Sequence, residues 1–181
     1  MKQKSNKLEL GCGNRPTPGY LHQDIIALVK LDFKLDPWEL PIPENTLSEV
    51  LALGVMEHLR FEDFDKTLKQ VYRMLAPGGV FLFDVPDIKV WSEYLYKVTH
   101  ELEAPFSKEH VYSTIWGWQR WQGDEHKCGW TEKDLFEKLF DTGFWVKPGL
   151  EAMRQRNIKR NRFDRPEDAH IYIEAEKKTY I

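Results

Sequence analysis

The sequence predicts an open α/β fold: a mostly parallel sheet of about seven strands within a single domain spanning residues 1–181. Three observations predict it. Short apolar runs alternate along the chain with segments of helical period. One of these runs, "VFLFDV", is almost continuously apolar, as expected of a central strand covered on both faces. Finally, 181 residues can bury one substantial core and are too few for two ordinary ones.

The elements follow in order. "KLEL" at 7–10 is a short strand that runs directly into Gly11. "YLHQD" at 20–24 and "ALVKLD" at 27–32 are two more strand candidates, and "LSEVLALGV" is a stronger one ending near Gly54. Phe61, Phe64, Leu68, Val71, Tyr72 and Leu75 then recur at helical spacing, which predicts an amphipathic helix over 62–75. "PGG" at 77–79 ends it and turns the chain into "VFLFDV". Residues 86–130 have poor periodicity and many aromatic side chains, and read as an irregular substrate-side insertion. Thr131 caps a further helix carrying Leu135, Phe136, Leu139 and Phe140, and "FWVKP" and "AHIYIEAEK" are closing strands. In such a sheet ligands bind beyond the carboxyl ends of the strands. Residues 11–13, Asp24, Asp36, 54–58 and 86–87 fall there.

Composition narrows the partners. A net charge of -3 argues against nucleic acid as the main partner, because phosphate binding wants a basic face. Cys12 and Cys128 are far apart and form no disulfide framework, which suits a reducing compartment. No apolar run approaches the roughly 20 residues of a membrane span, and "MKQKSNK" has no apolar signal segment behind it. A cytoplasmic protein is expected.

The "GCG" at 11–13 raises the question of what its turn accommodates. By itself it is compatible with a tight turn that binds nothing. A dinucleotide loop wants G-x-G-x-x-G and an acid about 20 residues on. Here Pro16 takes the third glycine position, and Asp24 follows Gly13 by only 11 residues. A nicotinamide or flavin nucleotide is therefore disfavoured, whereas an acid ending the second strand can still accept hydrogen bonds from ribose hydroxyls.

"LELGCG", "HQD", "DPWELPIPENTLSEVLALGVMEHL", "VYRMLAPGGVFLFDVPD" and "HKCGWTEKDLFEKLFDTGF" together resemble a class I S-adenosylmethionine-dependent methyltransferase. The resemblance covers residues 8–144 and is nearest to small bacterial and phage-type members whose first helix is almost absent. It implies a Rossmann-like sheet and S-adenosyl-L-methionine as cofactor. It also implies that Glu9, Gly11, Cys12 and Gly13 lie under the methionine part, and that Asp24 holds the ribose. Leu35 and Asp36 would then lie beside the adenine, with Leu53, Gly54 and Val55 beneath the cofactor. The chain departs from the family pattern at Arg15, where a third glycine is common, and at Ser48, where an acid is usual. With so few residues ahead of the first strand, an amino-terminal lid is not expected, and residues 91–130 are the expected cover.

Several residues carry two readings. Asp32 competes with Asp36 for the place beside the adenine. Glu9 is an acid inside a strand, which needs backbone donors or a ligand amine. His110 and His126, the latter within "HKCGW", are candidate general bases, and Asp87 in "VPD" joins them as a catalytic candidate. His58 reads as structural in preference to catalytic. His110, His126 and Cys128 offer only an H-x-C pair, so no metal site is expected. Trp116, Trp118 and Trp121 suit either packing or the wall of an acceptor pocket. Arg154, Arg156, Lys159, Arg160, Arg162 and Arg165 read as a solvated loop balanced by Asp164, Glu167 and Asp168, in preference to a docking surface. The expected function is methyl transfer to a small-molecule or glycan-type acceptor by a chain free of the membrane and able to form a homodimer. The alternatives are a protein or nucleic-acid acceptor, or a silent partner subunit.

Overall fold

A computed structural model describes residues 5–26, 28–158 and 161–179. Its centre is one sheet of six strands: β1 (Lys7–Leu10), β2 (Leu21–His22), β3 (Leu47–Leu53), β4 (Leu75–Pro86), β5 (Phe144–Pro148) and β6 (His170–Lys177). Their spatial order is β2-β1-β3-β4-β6-β5. β2, β1, β3 and β4 run parallel, and β6 pairs antiparallel with both β4 and β5.

The strands show why the apolar run at β4 had to be central. Val50, Ala52, Phe81 and Phe83 point to one face, where helices α1 (Phe61–Met74) and α4 (Glu132–Thr142) contribute Phe64, Leu68, Val71, Leu135 and Leu139. Leu51, Leu53 and Leu82 point to the other, against α5 (Leu150–Gln155) and Phe163. Period-two alternation in strands covered on both sides leaves almost every position apolar. Thr131 caps α4 as expected, its hydroxyl accepting from the Asp134 amide.

Three expectations are corrected. About seven strands become six among the described residues, because the run at 27–32 does not form one. All that remains at that edge is a parallel bridge between Gln23 and Phe33. The Asp32 carboxylate takes the His22 amide at 2.9 Å, and Leu28 is exposed, so nothing there holds an extended, half-buried strand; Ala27 lies outside the described residues. "PGG" is a bulge inside β4: Leu47 pairs with Leu75 and Glu49 with Val80, leaving the intervening residues to loop out. Residues 86–130 contain two helices. α2 (Ile88–Thr99) starts under the Asp87 side chain, which accepts from the Lys89 amide, and α3 (Lys108–Trp116) under Ser107, which accepts from the His110 amide. α3 buries only Val111 and Thr114, so its sequence carries little apolar period. No described helix is long and apolar enough to cross a membrane.

Candidate cofactor and acceptor site

Parallel strands bring the ends of β1, β2, β3 and β4 to one rim, and the antiparallel β6 begins there, with His170 opposite Pro86. The glycine loop that follows β1 is held from β2. The Gly11 amide donates to Gln23 Oε1 at 3.0 Å, the Cys12 amide to the Gln23 carbonyl, and the Gly13 amide to Asp24 Oδ2 at 2.8 Å. Gly11 and Gly13 both have φ of +57°, the left-handed region that favours glycine. At Gly11 space is also short: a Cβ would stand 2.5 Å from a Val55 methyl. Over Gly13 there is open space, with no atom within 4 Å of a Cβ position. Gln23, which the sequence reading passed over, is buried and ties this loop to Leu35 through its Nε2. A buried Gln between two motifs is the signal that could have found it.

Asp24 thus reaches the glycine loop, and its other oxygen accepts from the Ile26 amide at 2.9 Å. A carboxylate has about four lone-pair sites, so two remain for a ligand. Glu9 is buried, and its carboxylate takes the Thr17 amide and hydroxyl at 2.6 and 2.7 Å, closing the loop on itself. Cys12 is buried as well; burial, then the charges of Asp24 and Glu9, push its thiol up to about 11. Leu35 is exposed, and Asp36 precedes a short 3-10 turn without capping it by its side chain. Ile25, Ile26 and Leu28 are exposed beside Asp24, an apolar flank next to an acid. Leu53 is buried, and the Gly54 amide donates to Asp84 Oδ1 at 3.0 Å.

The catalytic candidates do not form one group. His110 is stacked on Phe106 at 4.4 Å and on Trp91 at 5.9 Å, with Trp118 against its edge. Asp87 is the α2 cap. His126 meets His58 instead, ring to ring at 4.8 Å and nearly perpendicular. Burial, followed by the neighbouring His58, holds the His126 imidazole down at about 4, so it is neutral at neutral pH. A base that weak removes protons poorly, although its lone pair remains available. The structure places Glu57, His58 and His126 together, not His110, His126 and Cys128; burial pushes the Cys128 thiol up to about 12.

The loop that carries His126 is built for that placement. Its base is closed by the His126 amide bonding to the Trp116 carbonyl, and Arg120 pairs with the buried Asp124. Gly117 is required there, since a Cβ would lie 2.1 Å from the Asp124 carbonyl oxygen. The amides of Lys127 and Cys128 then bond to the Glu57 carbonyl, pinning the loop to the end of β3. Trp116, Trp118 and Trp121 are about half exposed, and the Arg120 guanidinium lies 4.4 Å from the Trp121 ring centre.

Of the basic run, Arg156 is spent on the buried Glu49, and Arg154 on the Phe163 carbonyl and Asp164. Lys159 and Arg160 lie outside the described residues, as does the Arg162 side chain.

Residues 22–83, from β2 to β4, match the family model described as a methyltransferase domain. A SAM-dependent methyltransferase from Archaeoglobus fulgidus superposes with a TM-score of 0.61 at 17% identity, covering 97% of this chain and 87% of that one. This is the class I methyltransferase fold. A second protein with this methyltransferase fold, the Burkholderia thailandensis 1,6-didemethyltoxoflavin-N1-methyltransferase with bound S-adenosylhomocysteine, has a TM-score of 0.58 at 17% identity. It is matched over 96% of this chain and 71% of its own. In sequence, tRNA N(3)-methylcytidine methyltransferase Mettl2 of Drosophila melanogaster is 32% identical over 53 residues, 29% of this chain. This chain covers 16% of that protein's length.

Proposed function

We propose that this methyltransferase-fold chain binds S-adenosyl-L-methionine at the rim of β1 and β2 and transfers its methyl group to a small-molecule or glycan-type acceptor. The observation that carries the reading is the meeting of Gly13 and Asp24, with open space over the glycine and exposed apolar side chains beside the acid. Asp24 would receive the ribose hydroxyls, Ile25, Ile26 and Leu35 would cover the adenine, and the residue 11–13 loop would carry the methionine part. When bound, the cofactor supplies an activated methyl on a sulfonium, so its leaving group is already in place.

The residues therefore need to align more than to activate. Gln23, Asp24 and Glu9 hold the glycine loop in shape before any ligand arrives. Asp84 orients the Gly54 amide at the end of β3. The exposed tryptophans and residues 117–130 would flank the rim on the acceptor side and exclude water there. His126, neutral and held by the Thr114 carbonyl, would stand in that loop, and the proton of an acceptor hydroxyl or amine would pass to solvent as the methyl is transferred.

A nucleic-acid acceptor is the second reading, favoured by the likeness to the Drosophila tRNA methyltransferase. The internal pairing of Arg154 and Arg156 leaves less charge for that docking. Calorimetric titration with S-adenosylmethionine, S-adenosylhomocysteine and NAD tests the first half of the proposal. The first two should bind at one site and NAD should not; NAD binding alone would end it. A labelled-methyl product assay against pooled metabolites, glycans, proteins and RNA tests the second.

A further inference from the structure

The group formed by Glu57, His58 and His126 has the composition of a cation site. Two imidazoles and one carboxylate offer ligand atoms that all lie within 4.8 Å of one another. Each imidazole has one nitrogen turned to a backbone carbonyl. His58 Nδ1 lies 3.2 Å from the Glu125 carbonyl oxygen, and His126 bonds to the Thr114 carbonyl. This is the second-shell arrangement of ligating histidines: a carbonyl fixes ring and tautomer, which frees the other nitrogen as a lone-pair donor. The two carbonyls come from separate segments, α3 and the loop before His126.

The surroundings hold the three donors in place. Glu57 is buried, with its carbonyl clamped by the amides of Lys127 and Cys128. The His58 amide bonds to the Val55 carbonyl, and Val55 is the residue packed on Gly11. The group therefore stands beside the glycine loop at the rim. Asp124, buried in the same loop, is paired with Arg120 and holds that loop in shape.

We propose that Glu57, His58 and His126 bind one divalent transition-metal ion. Two imidazoles and a carboxylate select zinc, iron(II), cobalt or nickel over magnesium and calcium, which want oxygen donors. A tetrahedral cation about 2.0–2.2 Å from each donor needs donor separations of roughly 3.3–3.5 Å. Donors up to 4.8 Å apart reach that by small side-chain rotations. Three protein ligands leave at least one open position, the arrangement of a site that also takes an exogenous oxygen or nitrogen. What that position would hold, an acceptor hydroxyl or amine, rests on the methyl-transfer reading; the binding of the ion does not.

The test is cobalt binding to the chelator-treated full chain, followed by its visible absorption, with zinc added as competitor. One equivalent should bind and raise the thermal midpoint, and zinc should displace the cobalt signal. Glu57→Gln, His58→Gln and His126→Gln should each weaken binding by about tenfold or more. His100→Gln and Cys128→Ser should leave it unchanged. A variant that fails to fold is replaced by His126→Gly, in which free imidazole should restore the cobalt spectrum. Binding below one equivalent, binding indifferent to all three changes, or loss on Cys128→Ser would overturn the site. Each of these readouts is independent of S-adenosylmethionine, so failure of the methyl-transfer reading leaves this result standing.

Discussion

Two polar clusters sit on β3, and they differ in kind. Near the start of the strand the buried Glu49 receives Lys7, the Tyr20 hydroxyl and Arg156. Burial alone would raise this carboxyl, but the hydrogen bonds from Tyr20 and Arg156 and the charges of Arg156 and Lys7 outweigh it and hold the group below its ordinary range. Beyond the end of the strand, Glu57 and His58 meet His126. There two imidazoles meet edge to face, and burial first, then the neighbouring His58, lowers the basicity of His126. The first cluster is opposite charge neutralising opposite charge, which ties β1, β3 and the segment after α5 together. The second places lone pairs together beside an open rim. The first serves folding; the second is the site proposed for a ligand.

The largest expected effect tests the folding side. Glu49→Gln leaves Arg156 without its charged partner and should cost about 3 kcal/mol in chemical denaturation. Affinity for S-adenosylhomocysteine should not change; a parallel loss would mean that the two ends of the strand are one energetic unit.

Asp24→Asn sharpens the ligand side. Each charged hydrogen bond to ribose is worth roughly 1.5–3 kcal/mol, so calorimetric affinity should fall at least about tenfold. Because Asp24 also accepts from Gly13 and Ile26, the ligand-free protein should lose about 1 kcal/mol as well. Unchanged affinity would move the ribose elsewhere.

The acid limb of stability gives a smaller effect. Glu49 has its folded value below the ordinary 4.5, so its contribution is full above that pH and is lost as pH falls through the folded value. Glu49→Gln should therefore flatten the slope there by at most about 1.4 kcal/mol per pH unit. An unchanged slope would show the carboxylate pairing equally in the unfolded chain.

Smallest in stability is Trp121→Ala. The ring is half exposed, so the midpoint should move by under about 0.5 kcal/mol. Turnover on the identified acceptor should fall more than cofactor affinity. A large loss of stability with turnover intact would make this tryptophan a packing residue.

The sequence by itself determined the parallel core and the glycine turn after β1. Local signals suffice there: the alternating apolar strands, the helix of α1, the Thr131 cap, and the short interval from Gly13 to Asp24 all lie within a few tens of residues. It also placed Asp24 and the glycines at the same end of the sheet, because parallel neighbours end at one rim; the Gly13–Asp24 hydrogen bond came only with the structure. Tertiary structure alone decided the rest. The run at 27–32 is apolar enough for a strand but found no partner ladder beyond a bridge at Phe33, since pairing depends on neighbours and not on composition. α2 and α3 were hidden because little of either is buried: α2 buries only Trp91, which stacks on Phe106 and His110, and α3 only Val111 and Thr114. Glu57 and His58 come together with His126, 68 residues beyond His58, only because the amides of Lys127 and Cys128 bond to the Glu57 carbonyl. Contacts made through backbone hydrogen bonds between distant segments leave no mark on residue type, and that is why the sequence pointed to His126 without naming its neighbours.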